Sequence, residues 1–229
     1  MSDNAPVRNP FDPTFEQLPE TLPIFPLSGV LLLPGGRLPL NVFEPRYLSM
    51  LSDLRRRGAQ EFGVVTIRSG HEVGVGNIHA LAEVGCMVHI EATRPQGNRI
   101  LVRAVGTWRF DRIEQLDDGR AYSSARVRRL GDEPVSAADP GAVARLKRAL
   151  EAYAGTVETQ LPPLPVDADE LTWFAATGGP LTQAEQLREL AAPRAERLAM
   201  LTDWLRRETA LLHTIRSQPF HPDRTPPVN

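Results

Sequence analysis

The sequence predicts an α+β fold: a β-barrel with one inserted helix, followed by a helical bundle. Three observations predict it. Residues 20–130 consist mostly of short apolar, β-branched runs separated by Gly, Pro and Asn turns. Within them only Tyr47, Leu48, Leu51 and Leu54 repeat at helical spacing. Residues 140–217 carry apolar positions three and four apart, bounded by capping residues.

The first strand is Leu22–Leu27, where Pro23 and Pro26 predict an edge strand or the start of one, because proline cannot donate to a ladder. Pro34-Gly35-Gly36 is a turn, and Leu38–Phe43 a second extended run. Glu44-Pro45 opens the helix, with proline at a position whose N–H has no intrahelical partner. Arg55, Arg56 and Arg57 complement the dipole of its last turn, and Gly58 ends it. Strands are expected at Phe62–Ile67, Ile78–Val84, Cys86–Glu91, Ile100–Val105, Trp108–Ile113 and Tyr122–Val127. Ser69-Gly70-His71-Glu72 with Gly74-Val75-Gly76, Pro95-Gln96-Gly97-Asn98 and Asp117-Asp118-Gly119 connect them.

After a linker at 131–139, Asp139-Pro140 caps a helix that carries Val143, Leu146, Leu150, Tyr153 and Val157 and stops at Pro162-Pro163-Leu164-Pro165. Asp167 or Asp169 caps a short helix through Trp173 and Phe174, ended by Gly178-Gly179-Pro180. Thr182-Gln183-Ala184-Glu185 is a capping box. A long helix over about Pro193–Ser217 carries Leu198, Leu201, Leu205, Leu212 and Ile215. The flanks, 1–19 and 218–229, read as an extended arm, pinned through Phe11 and Phe15, and a flexible tail.

Composition narrows the function. A chain of 229 residues with 41% hydrophobic content can bury a core. Net charge is −2, which weighs against nucleic acid and anionic membranes. No signal peptide and no apolar run long enough to span a bilayer is visible, so a soluble cytoplasmic protein is expected. Cys86, the one cysteine, lies in an apolar run and reads as a small buried residue. The histidines are scattered, and even His79 with His89 offers no metal-ligand spacing, so neither metal nor cofactor is expected.

The block Leu22-Pro23-Ile24-Phe25-Pro26-Leu27, Leu33-Pro34-Gly35, Leu38-Pro39-Leu40-Asn41-Val42-Phe43-Glu44-Pro45-Arg46-Tyr47 resembles the start of the Lon protease N-terminal, or Lon substrate-binding, domain. Gly85–Ile90, Arg99–Val105, Gly106-Thr107-Trp108-Arg109-Phe110 and Asp118-Gly119-Arg120 extend the resemblance, which covers roughly residues 20 to 217. It implies a PUA-like split β-barrel with a helical bundle behind it, and recognition of protein rather than catalysis. Full-length Lon enzymes add an ATPase and a Ser-Lys protease. Here no Gly-x-x-x-x-Gly-Lys-Ser/Thr loop occurs, and the only lysine, Lys147, sits mid-helix without a serine beside it. A stand-alone, non-catalytic module is expected, binding exposed apolar segments of unfolded or degradation-targeted proteins, with a protease in trans as a second partner. Nucleic-acid binding through the PUA-like barrel is the alternative.

Phe43, Glu44, Arg46, Tyr47 and Arg109 are the candidate peptide-binding residues. A plainer reading competes for each. Phe43 would be core. Glu44, Arg46 and Tyr47 would brace the helix through an ion pair and a buried ring. Arg109, with Arg94, Arg99 and Arg103, would form a solvated sheet face. Asp167, Asp169 and Glu170 read as first-turn capping residues.

Overall fold

In the computed structural model, residues 20–70, 78–131, 139–179 and 181–217 are described. The arm at 1–19, the loop at 71–77, most of the linker, Pro180 and the tail at 218–229 lie outside them, and with them the expectations for Phe11 and Phe15.

Among the described residues six strands and five helices follow in order: β1 Thr21–Leu27, β2 Arg37–Val42, α1 Pro45–Arg57, β3 Glu61–Gly70, β4 Ile78–Gln96, β5 Arg99–Leu116, β6 Ser124–Arg129, α2 Pro140–Thr156, α3 Ala168–Gly178, α4 Gln183–Ala191 and α5 Arg194–Ser217. The fold is α+β with one mixed sheet, ordered β2-β5-β4-β3-β1-β6. β6 also pairs with β5, so the ladder returns on itself through β5-β4-β3-β1-β6. β1 runs parallel to β3, and the other pairings are antiparallel.

Two expectations need correction. β1 is not an edge strand. Its first residues, Thr21–Pro23, pair with β6 and its last, Ile24–Leu27, pair with β3. Splitting the ladder between two neighbours leaves each proline an unladdered flank for its missing N–H. The four central runs are two long strands: Ile78–Val84 and Cys86–Glu91 join in β4, and Ile100–Val105 and Trp108–Ile113 join in β5. Gly85 does not break β4. A Cβ there would lie 2.5 Å from Phe110 Cζ and 2.6 Å from the Val64 carbonyl oxygen, so glycine is what lets three strands close together. Smaller shifts follow: Ser69 and Gly70 extend β3, and β6 starts at Ser124 rather than Tyr122.

Strand alternation feeds two sides of the sheet. Phe25, Val64, Cys86 and Val88 pack with Tyr47, Met50, Leu51 and Leu54 of α1, while Ile24, Val65 and Met87 pack with Phe110. A further core joins Leu146, Leu171, Trp173, Leu190, Leu198, Leu201 and Leu205 of the C-terminal helices to Leu33, ahead of β2.

Most helix ends follow the sequence, but α2 ends at Thr156, with Val157 as its C-cap, ahead of the prolines expected to stop it. Pro45 opens α1 and Gly58 closes it in the left-handed conformation. Asp139 caps α2, Asp167 caps α3, and Thr182 with Glu185 forms the capping box of α4. No described helix is long and apolar enough to cross a membrane.

Candidate functional site

The five candidate residues do not form one surface. Glu44 and Arg46 make the expected ion pair at 2.9 Å, half-buried at the start of α1. The Arg46 guanidinium lies 4.5 Å from the Tyr47 ring centroid. Tyr47 is 3% exposed, its ring 4.1 Å from that of Phe25, so it belongs to the core beneath α1.

Phe43 corrects the core reading. It is 52% exposed, with the Arg99 guanidinium 5.7 Å from its ring. Val42 turns inward at the end of β2, and the next side chain is sent outward.

Arg109 corrects both the binding and the solvated-face readings. It is 4% exposed and donates from Nη1 to the carbonyls of Leu190 and Ala192, each at 2.8 Å. Trp173 lies beneath it, 5.5 Å from guanidinium to ring centroid. Arg197, fully buried, sits 4.2 Å from the same ring and donates to Ala192 and to Asp169. Arg194 grips the Asp169 carboxylate through Nε and Nη2. Asp169 is therefore not a capping residue. It is the shared acceptor of two buried arginines, and this network ties α3 and α5 to the chain between α4 and α5, which Arg109 ties to β5.

Where Asp169 is half-buried, Glu189 is the fully buried acid of this region. It is 2% exposed, and Oε2 has no hydrogen-bond partner among the described residues. Burial pushes its carboxyl up to about 8, against the pull of Arg197. Cys86 is fully buried as expected, and burial drives its thiol far above the usual range. His89 is committed to Glu61 at 3.0 Å. Among the described residues no cluster of His, Cys, Asp and Glu could hold a metal ion.

Two cavities remain as candidate sites. One, of about 410 Å³, lies between α2 and α5 and is lined by Arg145, Arg194, Asp139 and Asp203. Its arginines are spent on neighbouring carboxylates: Arg145 on Asp139, Arg194 on Asp169 and Arg206, at 3.9 Å, on Asp203.

The other, of about 450 Å³, lies between α1 and the β4–β5 hairpin. Leu48, Leu51 and Leu54 of α1 line one wall, and Ile90, Thr93, Pro95 and Ile100 the other. Its apolar character follows from the α1 stripe, which is wider than the sheet beneath it can cover.

Along this groove β4 has an open edge. β5 accompanies β4 as far as Gln96 opposite Arg99, but the β3 ladder begins only at Glu61 opposite His89. The last bond on that side runs from the Ile90 N–H to the Gln60 carbonyl at 2.8 Å. Beyond it, Glu91–Gln96 pair only with β5 among the described residues. Glu91 is the extra residue of a bulge, which re-aims the hairpin as it leaves the sheet.

The hairpin turn fixes which backbone groups face outward. Gly97, at φ +60°, and Asn98 make the two-residue connection, with glycine first as a type II′ turn requires. Gln96 and Arg99 then form a hydrogen-bonded pair, so Pro95–Ile100 and Thr93–Val102 are non-hydrogen-bonded pairs. The Thr93 N–H and C=O and the Pro95 C=O therefore point to the open edge. Pro95 sits where its missing N–H costs the hairpin nothing.

Sequence reasoning missed this groove. The signal was Pro95 next to Gly97-Asn98, which marks a hairpin whose edge is only partly blunted. The groove itself could not be read, because its walls are about 40 residues apart in the chain.

Residues 21–207 match the family described as the ATP-dependent protease La (LON) substrate-binding domain. Among curated relatives, Lon protease of Anaeromyxobacter dehalogenans (strain 2CP-C) is 27% identical over 211 residues, which is 86% of this chain and 24% of that protein. Lon protease 2 of Myxococcus xanthus is 31% identical over 158 residues, 68% of this chain and 18% of that protein. The chain thus spans a quarter or less of these relatives. Among solved structures, the Lon N-terminal domain protein from Xanthomonas campestris superposes with a TM-score of 0.61 at 25% identity, covering 80% of this chain and 98% of that one. The N-terminal domain of Mycobacterium avium complex Lon protease gives 0.58 at 14% identity, covering 81% and 98%, a likeness of fold.

Proposed function

Because the chain belongs to the family of Lon substrate-binding domains, we propose that it is a non-catalytic module that binds extended polypeptide at the open edge of β4. The substrate-binding role comes with the family. The placement of the site is our reading, and so is its preference for exposed apolar segments of unfolded or degradation-targeted proteins.

The carrying observation is the coincidence of the open Glu91–Gln96 edge with the apolar groove beside it. An added strand would bond to Thr93 and Pro95 through its backbone, which carries no sequence information. Its alternate side chains would fill the groove over Leu48 and Leu51. That division suits a broad recogniser, and affinity would be in the micromolar range, since a short edge supplies few bonds. On the same reading, the ring β5-β4-β3-β1-β6 is a PUA-like split β-barrel, α2–α5 are its helical bundle, and a protease in trans consumes the bound protein in the cytoplasm.

Two variants test the site. Thr93→Pro removes the outward N–H while sparing every β4–β5 bond, and Leu48→Glu charges the groove floor. Each is expected to lower binding of labelled unfolded casein at least fivefold in protein that circular dichroism shows to be folded, with Leu48→Glu, half-buried against the core, also lowering the melt. Undiminished binding in both would refute the site. The exposed arginines beside Phe43 favour a second reading, single-stranded nucleic acid. Binding dominated by 6–10 phosphate contacts would fall by about 10³–10⁵ between 50 and 200 mM salt, whereas casein binding at the groove should hardly change.

A further inference from the structure

The two faces of the β4–β5 hairpin differ in chemistry. Side chains in register with Thr93 and Pro95 look into the apolar groove, together with Ile100. Side chains in register with Arg94 and Gln96 look to the opposite, solvent side, together with Arg99, the half-buried Leu101 and Arg103 of β5. Arg94, Arg99 and Arg103 are all exposed there. Arg103 is paired with Glu91 at 3.1 Å. Arg94 and Arg99 have no carboxylate partner among the described residues, although Arg99 lies over the Phe43 ring. Arg55, at the end of α1, adds a cation at the groove rim. The site thus carries positive charge that the fold does not neutralise, in a chain whose net charge is −2.

We propose that the segments bound here alternate apolar with acidic residues, apolar side chains entering the groove and an acidic one meeting Arg94 on the outer face, whereas Arg99, one strand further on and over Phe43, adds only to the positive field. This rests on β4 being the binding edge. The geometry is that of any added strand: successive side chains point to opposite faces, and those beside Arg94 lie within reach of a cross-strand contact. A guanidinium accepts a carboxylate with two parallel hydrogen bonds, so the outer face selects acid over a neutral polar residue. Arg94 therefore supplies sequence preference that backbone pairing alone lacks.

The test uses the full chain and three fluorescent octapeptides, alternating Val-Glu, Val-Thr and Val-Lys. One exposed charge pair predicts about two- to threefold tighter binding of Val-Glu than Val-Thr at low salt. Val-Lys should be weaker than Val-Thr. The preference should fade near 0.5 M salt, where screening shortens to about 4 Å. The variant Arg94→Glu, checked for an unchanged melt, should reverse the order in favour of Val-Lys, while Arg99→Glu should change it less. Equal affinities for all three peptides would overturn the acidic preference while leaving the β4 site standing. No binding of any peptide would overturn both. Displacement of Val-Glu by oligouridylate that Arg94→Glu loses would overturn the proposal in favour of a phosphate-reading face.

Discussion

Replacing Arg109 should loosen the C-terminal helices from the sheet more than any surface arginine can. Its guanidinium makes two hydrogen bonds, to the carbonyls of Leu190 and Ala192. Leu190 lies in the last turn of α4, where carbonyls lack an intrahelical partner. Ala192 keeps a donor in Arg197, so Arg109→Met strands Leu190 more severely. Hydrogen bonds to a charged group contribute about 1.5–3 kcal/mol each. The sum is offset in part because methionine removes the cost of burying a cation. The expected loss is about 3–5 kcal/mol, a large share of the 5–15 kcal/mol typical of a folded domain. For a chain of this size that is a fall in Tm of roughly 6–20 °C. Urea titration followed by tryptophan fluorescence reads it directly, since Trp173 lies against the same guanidinium. Arg109→Lys should fall between, because an ammonium lacks the planar fork. Arg103→Met, on the exposed face of the same strand, should stay within about 0.5 kcal/mol. A loss below about 1 kcal/mol for Arg109→Met would refute the clamp.

Leu51→Ala should cost about 2–5 kcal/mol in a denaturant melt, because Leu51 is 7% exposed under α1 and its loss leaves a cavity. Gly85→Ala should cost about 1–3 kcal/mol by the same measurement, since the new methyl meets Phe110 and the Val64 carbonyl with no room to yield. Glu189 sets a pH dependence. Its folded carboxyl titrates near 8 and its unfolded one near the ordinary value of about 4.3, so the native state binds the proton more tightly. Its contribution is then most favourable below about pH 4 and declines as pH rises to about 8. Glu189→Gln should flatten the wild-type decline in Tm between pH 5 and pH 8, and identical slopes for the two proteins would show that the buried carboxyl does not titrate in this window.

The sequence alone determined what neighbours within a few residues decide. Pro45 and Gly58 bound α1, Asp139 and the Thr182–Glu185 box start their helices, and Gly97-Asn98 turns the hairpin, because caps and turns satisfy backbone groups within one turn of chain. The block from Leu22 to Tyr47 carried the family. Where a side chain points is set instead by contacts across the chain. Arg109 meets its carbonyls 81 and 83 residues away, so nothing near it distinguishes a buried clamp from a solvated arginine. Asp169 sits in the first turn of α3, where capping and the helix dipole are the local expectation, and is drawn away by arginines 25 and 28 residues on. Gly85 and Gly106 look like strand breaks in one dimension. In three they are the points where β4 and β5 run close to Phe110 and to the Leu33 carbonyl. The open edge of β4 exists only because β3 stops short of the hairpin, a matter of relative strand length and register that tertiary packing alone decides.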